Sequence, residues 1–151
     1  MNARALGRPA ATLELGSLVW HGDTRAAISR AILESLAFAA RANADQISAV
    51  VPATIARVTA CGGLTQSPLY VALLAALLER TISVPRWREG SGVGAAICAG
   101  FGAGVFSSLV EGQRELVSVD LEVEPDPVLV NAYRELYPTW LRDYTALAAR
   151  N

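Results

Sequence analysis

The sequence predicts an α/β fold, rich in helix and with a short sheet, on three observations. Ala53 to Pro85 strings together a β-favouring run (Ile55 to Thr59), a glycine pair (Gly62, Gly63) in a polar turn, an apolar helix from about Pro68 to Arg80 and a second β-favouring run (Thr81 to Val84). Amphipathic helical spacing recurs on both sides of that unit, from Thr24 to about Ala42 and from Asp126 towards Leu147. No internal repeat or low-complexity linker interrupts the 151 residues, 52% of which are hydrophobic, so a single domain over 1–151 with a sizeable core is expected.

Taken in order, Met1 to about Ala11 reads as a polar, poorly ordered start, and Thr12 to Trp20 as a strand or an irregular packed segment. His21, Gly22 and Asp23 read as a turn, with Asp23 or Thr24 as the cap of the first helix. In that helix Ile28, Ile32, Leu36 and Ala39, joined by Leu33 and Phe38, form the expected buried stripe, and polar Asn43 to Gln46 is expected to end it. Ile47 to Val51 and Ile55 to Thr59 are β-favouring runs separated by Pro52, which argues against one continuous central strand.

The helix after the glycine pair begins with two local signals. Ser67 suits an N-cap because its hydroxyl can accept a freed backbone N–H, and Pro68 suits the next position because its missing N–H would find no partner there. Leu69, Tyr70, Leu73, Leu74, Leu77 and Leu78 make that helix apolar around most of its circumference, so it should be covered on more than one side. The turn before it lies where open α/β sheets bind ligands, past the carboxyl end of a strand and at the start of a helix.

A polar knot (Arg86, Trp87, Arg88, Glu89) leads into Gly90 to Val110, an uncharged stretch expected to be a tightly packed soluble helix with a glycine-rich end. Its length would suffice to cross a bilayer, and Gly100 with Gly104 makes a GxxxG step, but its many Gly and Ser residues keep it only modestly hydrophobic. Gly102 to Val110 continues as helix or loop, and Glu111 to Arg114 is polar. Leu116 to Glu124 alternates enough for a short strand. Asp126 and Pro127 open a last helix whose stripe is Leu129, Tyr133, Leu136, Tyr137, Trp140, Leu141, Tyr144 and Leu147, with Pro138 dividing or bending it. Packing, not ligand stacking, is the expected use of those aromatic residues.

The charge pattern excludes several functions. Net charge is -1 and the arginines are scattered among acids, so there is no basic field for nucleic acid or anionic lipid. The basic residues are all arginine; without lysine no Walker A phosphate loop exists. Cys61 and Cys98 have neither metal nor disulfide spacing and are expected to be buried free thiols of a cytoplasmic protein. With His21 as the lone histidine no zinc spacing emerges, and the N-terminus lacks the apolar core of a signal peptide.

Ile28 to Arg41 (ISRAILESLAFAAR), Cys61 to Tyr70 (CGGLTQSPLY), Glu89 to Gly100 (EGSGVGAAICAG) and Glu124 to Leu141 (EPDPVLVNAYRELYPTWL) together resemble, in order and spacing, the latter part of the C-terminal domain of the FGGY carbohydrate kinases, xylulokinase-like or related. The resemblance implies a partial ribonuclease H-like domain of the actin, sugar kinase and heat-shock ATPase superfamily. It also implies transfer of the ATP γ-phosphoryl group, with Mg, to a hydroxyl of a sugar or polyol. In the family a glycine-rich turn lies beside adenine and ribose. By position Gly62 and Gly63 match its first glycines, Leu64 replaces the third and Ser67 falls on the terminal Ser or Asn. The implied nucleotide-binding residues are therefore Gly62, Gly63, Leu64 and Ser67. Gly94, Ala95 and Ala96 match a small-residue motif with Glu89 at its acidic position, and Ala72 and Ala76 stand where the family often has Gln and Asp.

The family's catalytic Asp, its phosphate loops and its sugar-binding residues have no match, and none of Asp23, Asp45, Asp120, Asp126 or Asp143 is nominated as a base or metal ligand. The resemblance implies the nucleotide side of a kinase, inactive alone, whose partner is the missing N-terminal portion. Three origins stay open: a fragment, one product of a split enzyme, or a stand-alone remnant. The alternative function is a non-catalytic assembly or regulatory domain that covers its apolar surface by self-association.

Overall fold

A computed structural model describes residues 24–51 and 57–149. The elements in order are α1 (Thr24–Val50), β1 (Val58–Thr59), a 3-10 turn (Gly63–Gln66), α2 (Pro68–Leu78), β2 (Ile82–Pro85), α3 (Gly90–Gly102), α4 (Leu109–Leu116), β3 (Val119–Val123) and α5 (Pro127–Ala149). The expectations for Met1 to Ala11, Thr12 to Trp20, the His21 to Asp23 turn and the start of the Ile55 run lie outside the described residues.

The sheet has the order β1-β2-β3. β1 and β2 are parallel, with Val58 opposite Ile82, and β3 runs antiparallel to β2, with Ile82 opposite Val123. The parallel pair needs a crossover, and α2 supplies it. Every residue of β2 is buried. α2 packs on the sheet with one side and on α1 and α5 with others, which is why Val71, Leu73, Ala75, Ala76 and Leu77 are almost wholly removed from water. The expectation of an apolar helix covered on more than one side holds because α2 is the middle layer.

α2 ends at Glu79, the one described non-glycine residue with positive φ, at 53°. The Arg80 N–H reaches back to the Ala75 carbonyl at 3.2 Å, a helix closure that usually employs glycine. Glu79 is held there by Arg134, whose Nη2 lies 2.7 Å from its Oε2, with Arg41 further off at 3.9 Å. The Arg134 hydrogen bond is the main cause that keeps the Glu79 carboxyl below its usual pKa of 4.5. A depressed carboxyl contributes stability that is complete above its unfolded pKa and lost as pH falls through the folded value. Urea unfolding should therefore lose up to about 1 kcal/mol below pH 4.5, the scale of a partly exposed ion pair, and Glu79→Gln should remove that part of the pH dependence.

α1 corrects two expectations. It runs through Asn43 to Gln46, and Ile47 to Val50 is its final turn, not a β-favouring run. Asn and Asp cost a helix only a few tenths of a kcal/mol. Asp45 offsets this by accepting from Arg41 at 2.8 Å and from the Tyr137 hydroxyl at 2.7 Å. The helix stops just short of Pro52, which disfavours helical geometry in the residue before it. Its buried face is also rotated from the expected stripe. Ala37, Phe38 and Ala42 are buried while Ile32 and Leu36 are exposed, because the small alanines admit α2 at close range and Phe38 fills the space towards α5.

α5 is capped by Asp126, whose Oδ1 accepts the Val128 N–H at 2.8 Å, and it remains one element across Pro138. Aromatic contacts bracket the proline. Phe38 of α1 stacks on Tyr137 and on Trp140, with centroids 6.0 and 5.2 Å apart, and meets Tyr133 edge to face. The stack continues from Trp140 to Tyr144. These rings are used in packing, as expected, but Leu136 and Leu147 of the same stripe are exposed. Burial and the bond to Asp45 push the Tyr137 phenol far above its usual pKa, so it stays a donor.

The Gly90 to Val110 stretch departs furthest from expectation. α3 has no buried residue, its tightest packing is at the Gly100 end, and Cys61 and Cys98 are both exposed free thiols. α3 packs chiefly against α4, through Phe106: a Cβ on Gly100 would stand 2.5 Å from that ring and one on Gly112 2.8 Å. Glu111 to Arg114, read as merely polar, lies in α4. Ser108 accepts the Glu111 N–H at 3.1 Å, while Glu111 accepts from the Ser107 N–H at 2.6 Å, a variant of the capping box. Among the described residues no helix is long and apolar enough to cross a membrane.

Candidate nucleotide-binding turn

β1 and β2, being parallel, end at the same side of the sheet, and the segments leaving them are bonded together there. Cys61 to Ser67 follows β1, and Arg86 to Glu89 follows β2. The Gly62 N–H donates to the Arg88 carbonyl at 2.6 Å. Gly90 sits so close to Cys61 that a Cβ would stand 2.9 Å from the sulfur. A larger residue at 90 would require the Cys61 side chain to turn aside.

Gly62 has φ +97° and ψ 171°, a region open essentially to glycine alone. Its carbonyl accepts from both the N–H and the hydroxyl of Thr65, at 3.1 and 2.7 Å. Thr65 is buried at 4% exposure, so its hydroxyl is both desolvated and satisfied. Thr65 is not among the turn residues that the motif singles out. Its signal was local and available, since a Thr hydroxyl bonding back three residues is a common turn device.

Ser67 is the N-cap of α2: its Oγ accepts the Tyr70 N–H at 3.3 Å. The hydroxyl is therefore already engaged in starting the helix. Leu64 is exposed, and a Cβ built on Gly63 or Gly94 would meet nothing within 4 Å. The structure thus brings Gly62, Gly63, Leu64 and Ser67 into one short turn whose outer side is open. A flat group can approach backbone there without displacing protein atoms, which fits an adenosine moiety.

The phosphate end of a nucleotide has less to meet. Without lysine, the cations on the segment hydrogen-bonded to this turn are Arg86 and Arg88. Among the described residues no cluster of His, Cys, Asp and Glu is arranged to hold a metal ion. A separate cavity of about 40 Å³ lies between Arg41, Glu79, Tyr133, Arg134 and Tyr137. It adjoins the opposite end of α2 and holds a few waters at most, so it is no rival as a nucleoside site.

Comparison with known proteins agrees in kind. Residues 16–103 match the family model described as the FGGY family of carbohydrate kinases, C-terminal domain. An autoinducer-2 kinase of Salmonella paratyphi B is 32% identical over 120 residues, covering 80% of this chain and 23% of that protein. Among solved structures, a xylulose kinase from Brucella ovis superposes with a TM-score of 0.71 at 28% identity, over 88% of this chain and 28% of its own. One from Rhodospirillum rubrum gives 0.62 at 29% identity, over 87% and 26%. The chain spans about a quarter of the length of the curated relatives it matches.

Proposed function

This chain belongs to the FGGY family of carbohydrate kinases through their C-terminal domain, and from that premise we propose that it forms the nucleotide-side portion of an ATP-dependent carbohydrate kinase. The observation that carries the reading is the open, glycine-built turn at the carboxyl ends of β1 and β2, bonded across by Gly62 and Arg88. In this reading Gly62, Gly63 and Leu64 lie against adenosine, and Ser67 fixes the turn through the start of α2. The wider reaction moves the γ-phosphoryl group of Mg-ATP to a sugar or polyol hydroxyl, in the cytoplasm. The base, the phosphate loops and the sugar contacts belong to an N-terminal portion that this chain needs as its partner.

Calorimetry with Mg-ATP and Mg-ADP tests the adenosine role. Binding is expected for the 151-residue chain, and no heat with either nucleotide, alone or with an N-terminal kinase portion added, would sink it. A coupled assay on the chain alone, with xylulose and other sugars, should show no turnover. Robust turnover would overturn the claim that essential parts lie elsewhere. The exposed apolar residues Phe101, Val105, Leu109 and Val110, from the end of α3 to the start of α4, favour a second reading, a non-catalytic assembly domain that covers them by self-association. Sedimentation as a strict monomer at high concentration would count against it.

A further inference from the structure

The Arg86–Glu89 segment carries a side chain that neither the core nor the glycine turn accounts for. Trp87 is 57% exposed, although it directly follows Arg86 at the end of a strand whose every residue is buried. An indole left this open forgoes much of the burial its ring can provide. Its position is nevertheless well defined. The Arg86 N–H donates to the Ser118 carbonyl at 2.9 Å, and the Arg88 carbonyl accepts the Gly62 N–H at 2.6 Å. Trp87 is thus the middle residue of a segment anchored to the β3 side by one neighbour and to the glycine turn by the other.

The ring also has one defined contact with a neighbouring cation. The Arg86 guanidinium carbon lies 5.6 Å from the indole centroid. That cation–π contact favours one indole orientation and leaves surface for a second planar group. At Gly63, next to the Gly62 that is bonded to this segment, a Cβ would meet nothing within 4 Å, so the turn leaves room beside its backbone. Stacking on an aromatic face accepts any nucleobase, since every base has a π-face.

Resting on the nucleotide reading above, we propose that Trp87, braced by Arg86, is the aromatic wall on which the purine of the nucleotide at the Gly62–Gly63 turn stacks. The wall recognises the base, so its contribution is shared by adenosine, ADP and ATP and does not grow with the number of phosphates. Trp87 is then a specificity residue for a flat heteroaromatic ligand, set by the segment after β2 rather than by the glycine turn itself.

The test is titration of the 151-residue chain with ADP, ATP and adenosine, for wild type, Trp87→Ala and Trp87→Phe. Trp87→Ala is expected to weaken all three ligands by a similar factor of roughly ten or more, and Trp87→Phe to restore most of the affinity. ADP should quench tryptophan emission in wild type. The quench should fall in Trp87→Phe, although that variant still binds, because the ring that meets the purine is then no longer an indole. Urea midpoints should be unchanged, as expected for an exposed side chain. Equal ADP affinity in wild type and Trp87→Ala would overturn the stacking role while leaving the nucleotide reading intact. Unchanged affinity with a shift of Trp87→Ala to a smaller particle in sedimentation would likewise overturn it and make Trp87 a protein contact. Absence of ADP binding by wild type would remove the nucleotide reading, and the wall with it.

Discussion

Phe38→Ala should destabilise the chain by about 3–5 kcal/mol, the range for emptying a buried aromatic site. Phe38 is 6% exposed and is the residue of α1 that touches Tyr133, Tyr137 and Trp140 together. Removing it leaves a void that rings on both sides of Pro138 cannot close without changing the course of α5. It also removes aromatic pairs worth about 0.5–1.5 kcal/mol each beyond their area. Phe38→Leu keeps most of the volume and loses the ring contacts, so about half the loss is expected. Urea unfolding followed by far-ultraviolet circular dichroism reads both, and a loss below about 1 kcal/mol for Phe38→Ala would show that α1 and α5 are not joined through this ring.

The second large effect is expected at Gly62. A valine there must adopt φ near +97°, which a β-branched residue resists, at a cost of about 1–3 kcal/mol. Open space around the position does not help, since the strain is in the backbone and not in a clash. Relief by rotating the peptide would break the 2.6 Å bond to Arg88 and the two Thr65 bonds to the Gly62 carbonyl. Gly62→Val is therefore expected to lower stability modestly and nucleotide affinity by more than tenfold, with calorimetry as the readout. Gly63→Ala separates the two causes. Position 63 has no positive φ and no neighbour within 4 Å of a Cβ, so its stability should hold and only a ligand pressed against the backbone would notice the methyl. A Gly62→Val chain that binds ADP as wild type would remove the turn from the nucleotide site.

What the sequence disclosed and what it withheld divide along the range of the interactions. Ser67 with Pro68, and Asp126 with Pro127, announced α2 and α5 because a cap and its N–H partner lie within three residues of each other. The end of α1 was illegible for the opposite reason: Asp45 is satisfied by Tyr137, 92 residues away, and that contact turns a helix-ending composition into helix. The buried face of α1 was misjudged because Ile32 and Leu36 look more like core than Ala37 and Ala42. Close approach of α2 selects the smaller side chains. α4 could have been found from Ser108 and Glu111, a cap signal three residues apart that the polar look of Glu111 to Arg114 obscured.

At the candidate site, the motif located the glycine turn. It did not reveal that the segment after β2 is bonded to that turn, because the Gly62 to Arg88 hydrogen bond depends on how β1 and β2 align. The exposure of Cys61 and Cys98 was equally hidden. Their apolar neighbours in sequence suggested burial, whereas Cys61 lies in the open turn and Cys98 on the exposed side of α3.

α2 joins the most deeply buried part of the molecule to the mouth of the turn. The Val71 N–H, bonded to the Ser67 carbonyl at 3.2 Å, starts the helix at one end of a residue whose side chain is 1% exposed. The turn therefore has little freedom to open by itself, since undoing the cap means withdrawing Val71 from the core. Occupancy of the turn and integrity of the core are then thermodynamically linked: a nucleotide at a hundred times its dissociation constant would add about 2.7 kcal/mol to the unfolding free energy of the whole domain. Conversely, a lesion far away in the α1 and α5 layer would reduce the population of chains able to present the turn. In this small domain the proposed recognition element and the folding unit would respond to a ligand as one.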